Sequence, residues 1–143
     1  MTAKEEANNI LSLTKNDLLK ALELLEKQLN TLHLRAQVLM SLAGIVLTVT
    51  GFSGRLIAAT SLISQILVIF GLATVLTSAV WVFSQVMGIK WVTTGFSGNA
   101  TKSLEKIIER RNRKTRAYTL GGIILCVGLL FYAIAFAMML LNP

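Results

Sequence analysis

The chain has 143 residues, of which 54% are hydrophobic and 15% charged, with a formal net charge of +7. About a quarter of the residues of a soluble domain are typically charged, so this composition excludes an ordinary soluble domain. The charges leave three uncharged runs, 36–54, 56–89 and 117–143. Because about 20 apolar residues in a helix cross the ~30 Å core of a bilayer, the runs predict three spans.

Residues 1–35 are predicted to be an amino-terminal segment whose amphipathic heptad helix leads into the first span, 36–54. We expect Thr14 to cap this helix, with Asp17 in its first turn, and the helix to continue to Thr50. Leucines recur at steps of four and three residues, and small residues continue the seam inside the span. Such seams associate helices in water and in lipid. The predicted oligomer interface begins with Leu18, Leu22, Leu25, Leu29, Leu32, Ala36 and Ala43.

The same leucines have a second possible partner within the chain. A helical pattern before the third span places Leu104, Ile107 and Ile108 on one face. The seam therefore packs either between chains or on this helix of its own chain, and spacing alone leaves both arrangements open.

The stretch TGFSG occurs twice, at 50–54 and 94–98. We expect the first copy to end the first span, before a short outer loop at 55–59. The second copy follows the second span, 60–88, on the opposite side of the membrane. Glycine favours helix ends because it adopts the left-handed conformation, and the flanking sequences differ. We interpret TGFSG as helix-end chemistry used twice and not as a duplicated ligand site.

The second and third spans also carry small or polar residues seven apart. The second span has Ser64, Gly71, Ser78 and Gln85, and the third, 117–141, has Gly121, Gly128 and Ala135. Such seams suit a left-handed bundle, and they add Gly71, Gly121 and Gly128 to the predicted oligomer interface. An open axis lined by Ser64, Ser78 and Gln85 would instead favour a pore or channel.

Residues 89–116 form a basic segment with an amphipathic helix that leads straight into the third span. Clustered Lys and Arg beside a span bind anionic headgroups, or anchor the helix by reaching toward them. Nucleic acid is not expected as a partner, because base stacking needs aromatic residues and only Tyr118 is near. The predicted anionic-lipid site comprises Arg110, Arg111, Arg113, Lys114 and Arg116.

The basic residues also predict an orientation. Of the 14 Lys and Arg residues, 13 fall in 1–35 and 90–116, which lie on one side of a three-span protein. Basic segments remain in the cytoplasm, so we expect a cytoplasmic amino terminus and an outer carboxyl terminus in a bacterial inner membrane.

Residue types for catalysis are sparse. The chain has one histidine, His33, and one cysteine, Cys126, which lies inside the third apolar run. Neither has neighbours at metal-ligand spacing, and no phosphate-binding or nucleophile motif is present. We therefore expect no enzyme activity, no metal and no cofactor. Ion-coupled transport is also disfavoured, because the spans carry no ionisable residue away from their ends.

The chain resembles the transmembrane module of the bacterial Pycsar-effector-like membrane proteins. The resemblance rests on a cytoplasmic helix, the segment LRAQVLMSLAGIVLTVTG, a second span, and the segment LEKIIERRNRKTRAYTLGGIILCVGLLFYAIA. It implies a protein that disrupts the host membrane when a nucleotide second messenger is sensed.

The predicted fold class is an all-α membrane protein with three transmembrane helices, a long amino-terminal stalk and a basic amphipathic helix before the third span. The predicted function is a structural or interaction component that forms a homo-oligomer or joins a membrane complex. The alternatives are a pore-forming or membrane-perturbing effector and a small channel or transporter subunit.

Overall fold

The computed structural model describes residues 2–58, 61–88 and 100–141, and these residues form helices without any strand. Within these ranges, three helices are long and apolar enough to cross a membrane, which confirms the predicted all-α class with three helices that can span. In chain order the helices are α1 (Ala3–Leu13), α2 (Leu18–Ala58), α3 (Leu62–Val86) and α4 (Ala100–Leu141).

Two of these helices are longer than a bilayer core. With 41 and 42 residues and 1.5 Å per residue, α2 and α4 are each about 60 Å long. Their charged portions are residues 18–35 and 100–116, which together with α1 we call the charged end. Residues 36–58 and 117–141, with α3, form the apolar end. Helix α4 runs without interruption from one end to the other, as predicted.

The expected start of the stalk helix at Thr14 is wrong. Thr14 is the C-cap of α1, and its hydroxyl donates to the carbonyl of Ile10 at 2.9 Å. Lys15 and Asn16 follow with φ angles of 54° and 62°, a left-handed backbone that breaks the helix. Asp17 then caps α2, because its Oδ1 accepts from the amide of Leu19 at 3.1 Å and also from the next amide.

Helix α1 has its own start signal. The hydroxyl of Thr2 accepts from the amide of Glu5 at 3.3 Å, and the carboxylate of Glu5 accepts from the amide of Thr2 at 2.8 Å. This reciprocal pair is a capping box. The spacing T-x-x-E was readable in the sequence, and it marks the helix that sequence analysis did not separate from the stalk.

The first TGFSG copy does not end a helix, so that interpretation is wrong for residues 50–54. Helix α2 continues to Ala58 and includes most of the expected outer loop, 55–59. The hydroxyls of Thr50 and Ser53 donate to carbonyls four residues earlier, each at 2.7 Å, which satisfies these polar groups inside the helix. The second copy, 94–98, lies outside the described residues.

At the apolar end, α3 and α4 pack through glycine. A Cβ added at Gly128 would lie 2.8 Å from Cγ2 of Val75 and 3.0 Å from the carbonyl oxygen of Gly71. A Cβ at Gly121 would overlap Val82. The absence of side chains therefore lets the two backbones come close together. Helix α2 joins this pair through a buried cluster that includes Leu32, Ala36, Leu39, Ala43, Val75, Val82 and Leu125.

At the charged end, the leucine seam packs inside the chain. Leu25, Leu104 and Ile108 are fully buried in one cluster. Helix α1 adds Ala7 and Ile10 to it. Spacing left open whether the stalk packs between chains or within its own chain. In this structure the stalk packs on α4 of the same chain.

Candidate functional site at the charged end

Lys114 closes the carboxyl end of α3. The last carbonyls of a helix have no partner within the helix, and a lysine can bind them and interact favourably with the helix dipole. The Nζ of Lys114 donates to the carbonyl of Val86 at 2.7 Å and to that of Gly88 at 3.1 Å. With 7% of its surface exposed, Lys114 is a structural cap that joins α4 to α3.

His33 is the third neighbour of this ammonium group. Its Nε2 lies 3.1 Å from Nζ of Lys114. Burial and the charge of Lys114 lower the pKa of His33 below its ordinary value, and hydrogen bonding with Val86 opposes them. Because an ammonium group only donates hydrogen bonds, the contact with Lys114 requires a neutral imidazole. The junction thus joins α2, α3 and α4 around one positive charge.

The buried junction also changes the pKa of Lys114. Burial, followed by repulsion from Arg110 and Arg113, lowers the pKa of Lys114 below its ordinary value. The two carbonyl acceptors work in the other direction, because they stabilise the charged form. The contacts are those of a charged lysine that caps a helix.

Arg111, in α4, joins the other two segments of the charged end, α1 and α2, to its own helix. Its guanidinium forms a two-pronged pair with Glu6 of α1, with distances of 2.8 and 2.9 Å. It also donates to the side-chain oxygen of Gln28 in α2 at 2.7 Å and to that of Asn112 at 2.7 Å. The side chain is 17% exposed. Arg111 therefore holds α1 and α2 against α4 and does not extend toward solvent.

The predicted anionic-lipid residues thus separate into two kinds. Arg111 and Lys114 are engaged within the chain, and Arg110 is half-buried and also interacts within it. Arg113 and Arg116 are exposed. Lipid binding stays a prediction, and the exposed pair is where the basic run presents charge to its surroundings.

The predicted oligomer residues lie inside the single chain. Leu25, Leu32, Ala36 and Ala43 are buried, and the other stalk leucines, Leu18, Leu22 and Leu29, are partly buried against the same cluster as Leu25. Gly71, Gly121 and Gly128 lie between α3 and α4. An oligomer built on these residues would have to replace contacts that the chain already makes. Self-association stays a prediction, and it needs a different surface.

The serines proposed for a polar axis are also packed within the chain. Ser64 and Ser78 are fully buried, and the hydroxyl of Ser78 donates to the carbonyl of Gly121 at 2.6 Å. Gln85 is exposed. The pattern of seven-residue spacing in α3 therefore serves helix packing in this chain, where no open axis separates Ser78 from α4.

Sequence analysis missed an exposed stripe on α2. Gly44 and Gly51 have open space around them, since an added Cβ would meet nothing within 4 Å. Neighbouring positions of the same face are also small or polar and exposed. The signal was available, because positions 37, 44 and 51 are seven apart and so are 41 and 48. We call this face the α2 stripe: Gln37, Ser41, Gly44, Thr48 and Gly51.

The described residues contain no group of three or more His, Cys, Asp or Glu side chains that could hold a metal ion. Comparison with protein-family models, with curated proteins and with solved structures finds no match to this chain. The function is therefore argued from the contacts and surfaces described above.

Proposed function

We propose that this protein is a non-enzymatic, multi-pass membrane protein that acts as an interaction component and self-associates in the bilayer through the α2 stripe. The observation that carries the proposal is the open space at Gly44 and Gly51. Small residues let helices approach closely in lipid. Gly71, Gly121 and Gly128 of α3 and α4 already make such an approach, whereas the glycines of the α2 stripe do not.

The exposed faces of the other two spans support this choice of surface. Helix α3 exposes Ile66, Ile69 and Phe70, and α4 exposes Ile123 and Leu130. Large apolar side chains of this kind suit contact with lipid tails. The α2 stripe differs from these positions because Gly44 and Gly51 have no side chain. The amide of Gln37 on the same stripe is exposed, and such a polar group is unfavourable in a lipid environment.

The distribution of charge supports a location and an orientation for the same proposal. The charged end carries 11 of the 14 Lys and Arg residues, and by the positive-inside rule we assign it to the cytoplasm of a bacterium. Anionic lipids of the inner membrane are the proposed lipid partners, because exposed basic residues such as Arg113 and Arg116 attract them.

The test is the mass of the purified protein in detergent, by light scattering corrected for bound detergent. We expect the native chain to be a dimer or larger, and Gly44→Leu and Gly51→Leu to shift it toward the monomer. Ala133→Leu is the matched control, because Ala133 is an exposed small residue on α4. A monomeric native chain, or equal loss of assembly in the control, would contradict the proposal.

A further inference from the structure

An open groove of about 420 Å³ lies between α2 and α4 at the charged end. Its position corresponds to the boundary of the predicted spans. Arg35 is the last charged residue before the uncharged run 36–54, and Thr115 precedes Arg116, the last charged residue before the third span. The polar residues that line the groove are Gln28, Thr31, Arg35, Arg111, Asn112 and Thr115.

Arg111 determines which atoms the two amide side chains have available. The side-chain oxygen of Gln28 accepts from Arg111 at 2.7 Å, and that of Asn112 accepts at 2.7 and 3.1 Å. Each amide retains an NH2 group, which can only donate. Among the described contacts, neither NH2 group has an acceptor. The groove is therefore lined by two side chains with hydrogen-bond donors to offer.

The net charge of the groove comes from Arg35. Arg111 is balanced by the carboxylate of Glu6 at 2.8 Å. Arg35 is exposed, and within the described part of the chain it forms no ion pair or hydrogen bond. Its planar guanidinium matches the oxygens of a phosphate group, on which it can form two parallel hydrogen bonds.

Two threonines supply acceptors beside these donors. The hydroxyl of Thr31 donates to the carbonyl of Lys27, and that of Thr115 donates to the carbonyl of Arg111, both at 2.9 Å. Since each hydroxyl proton is used, the oxygens of Thr31 and Thr115 can accept hydrogen bonds. Donors for an anion and acceptors for hydroxyl groups thus occur in one groove.

We propose that this groove binds a phosphate ester with a hydroxylated substituent, held by Arg35 and the amide groups of Gln28 and Asn112. Its place at the boundary of the spans favours the glycerol headgroup of an anionic phospholipid, although a soluble glycerol phosphate shares the chemistry. The inference rests on the proposed position of the chain in a bilayer and is independent of self-association through the α2 stripe.

The first test uses Asn112→Asp. The aspartate retains an oxygen for Arg111 and replaces the NH2 group with a second carboxylate oxygen, which repels an anion. We expect retention of phosphatidylglycerol by the purified protein, measured by native mass spectrometry against phosphatidylcholine, to fall at least about fivefold. Asn30→Asp is the control. It makes the same change of charge on an exposed residue, two positions from Gln28 and so on another face of α2.

The second test removes the free charge of the groove. We expect Arg35→Gln to lower phosphatidylglycerol retention about fivefold. Arg116→Gln removes an exposed charge that also directly precedes an uncharged run but does not line the groove, and we expect it to lower retention less. Equal loss in Arg35→Gln and Arg116→Gln, or in Asn112→Asp and Asn30→Asp, would show diffuse attraction to basic residues and overturn the proposal.

A third measurement separates the two sources of the phosphate ester. Soluble glycerol 3-phosphate is added to the lipid-loaded protein. Retained lipid identifies the headgroup as the ligand. Displacement of the lipid from the native protein, together with loss of glycerol 3-phosphate binding in lipid-free Asn112→Asp, identifies the soluble ester. Absence of binding by both compounds overturns the proposal. The mass of the protein in detergent is recorded in the same spectra, so failure of self-association is distinguished from failure of the groove.

Discussion

The helices of the charged end pack against one another through large side chains, whereas α3 and α4 at the apolar end pack through glycine. At the charged end, Leu25, Leu104 and Ile108 fill the space between α2 and α4. At the apolar end, Gly71 and Gly128 have no side chain, so the backbones of α3 and α4 are in contact. Large apolar side chains associate in water because they leave it. In lipid this driving force is absent and close packing takes over. Helix α4 changes from one mode to the other along its length.

The largest effect is expected at the charged end. Leu25→Ala removes a fully buried side chain and should lower the free energy of unfolding by about 2–5 kcal/mol. Leu24→Ala is the control, because Leu24 is 45% exposed. Unfolding in mixed micelles measures both. Equal losses would mean that the leucine cluster does not hold this end together.

The apolar end should show the opposite dependence on size. Gly128→Ala adds a Cβ that lies 2.8 Å from Val75 and 3.0 Å from two backbone atoms, and it should cost about 1–3 kcal/mol in the same assay. Gly122→Ala meets only Leu39, at 3.7 Å. It should be neutral or stabilising by up to about 1 kcal/mol, because alanine favours helix. If Gly128→Ala does not lower stability, close packing of α3 on α4 does not depend on glycine at this position.

A smaller effect is expected from the ion pair that holds α1. Glu6→Gln weakens the contact with Arg111, whose partners are 24% and 17% exposed, and should cost about 1 kcal/mol. Glu26→Gln changes an exposed carboxylate of α2 and should stay within about 0.5 kcal/mol. The difference between the two variants should shrink as salt is added. A difference that salt leaves unchanged would show that packing, and not charge, accounts for it.

The smallest effect is a pH dependence where the two ends meet. The folded pKa of His33 is lowered, so the unfolded state binds its proton first on acidification. The contribution of His33 is therefore fully present above its unfolded pKa, about 6.5, and is lost as the pH falls below that value toward the folded pKa. The apparent Tm between pH 7.5 and 5.5 should fall more in the native chain than in His33→Gln. Identical pH profiles would place His33 outside the junction.

Much of the fold follows from composition and spacing. Runs without charge that are long enough for a bilayer predicted three spanning helices, because ionisable groups are excluded from lipid regardless of tertiary contacts. The uninterrupted passage from the basic segment into the third span was also readable, since no Gly or Pro separates Lys102 from Leu120. The seven-residue spacing correctly grouped Gly121 and Gly128 on one packed face.

Tertiary structure decided what each face contacts. Spacing places Leu25 on the seam, but only the return of α4 supplies Leu104 and Ile108 to bury it. In the sequence, Lys114 is one member of a basic run. In the structure it caps α3, because the end of that helix lies within hydrogen-bond distance of its ammonium group. Local periodicity specifies which residues share a surface. The partner of that surface depends on residues about 80 positions away, such as Gln28 for Arg111, and only the folded chain brings them together.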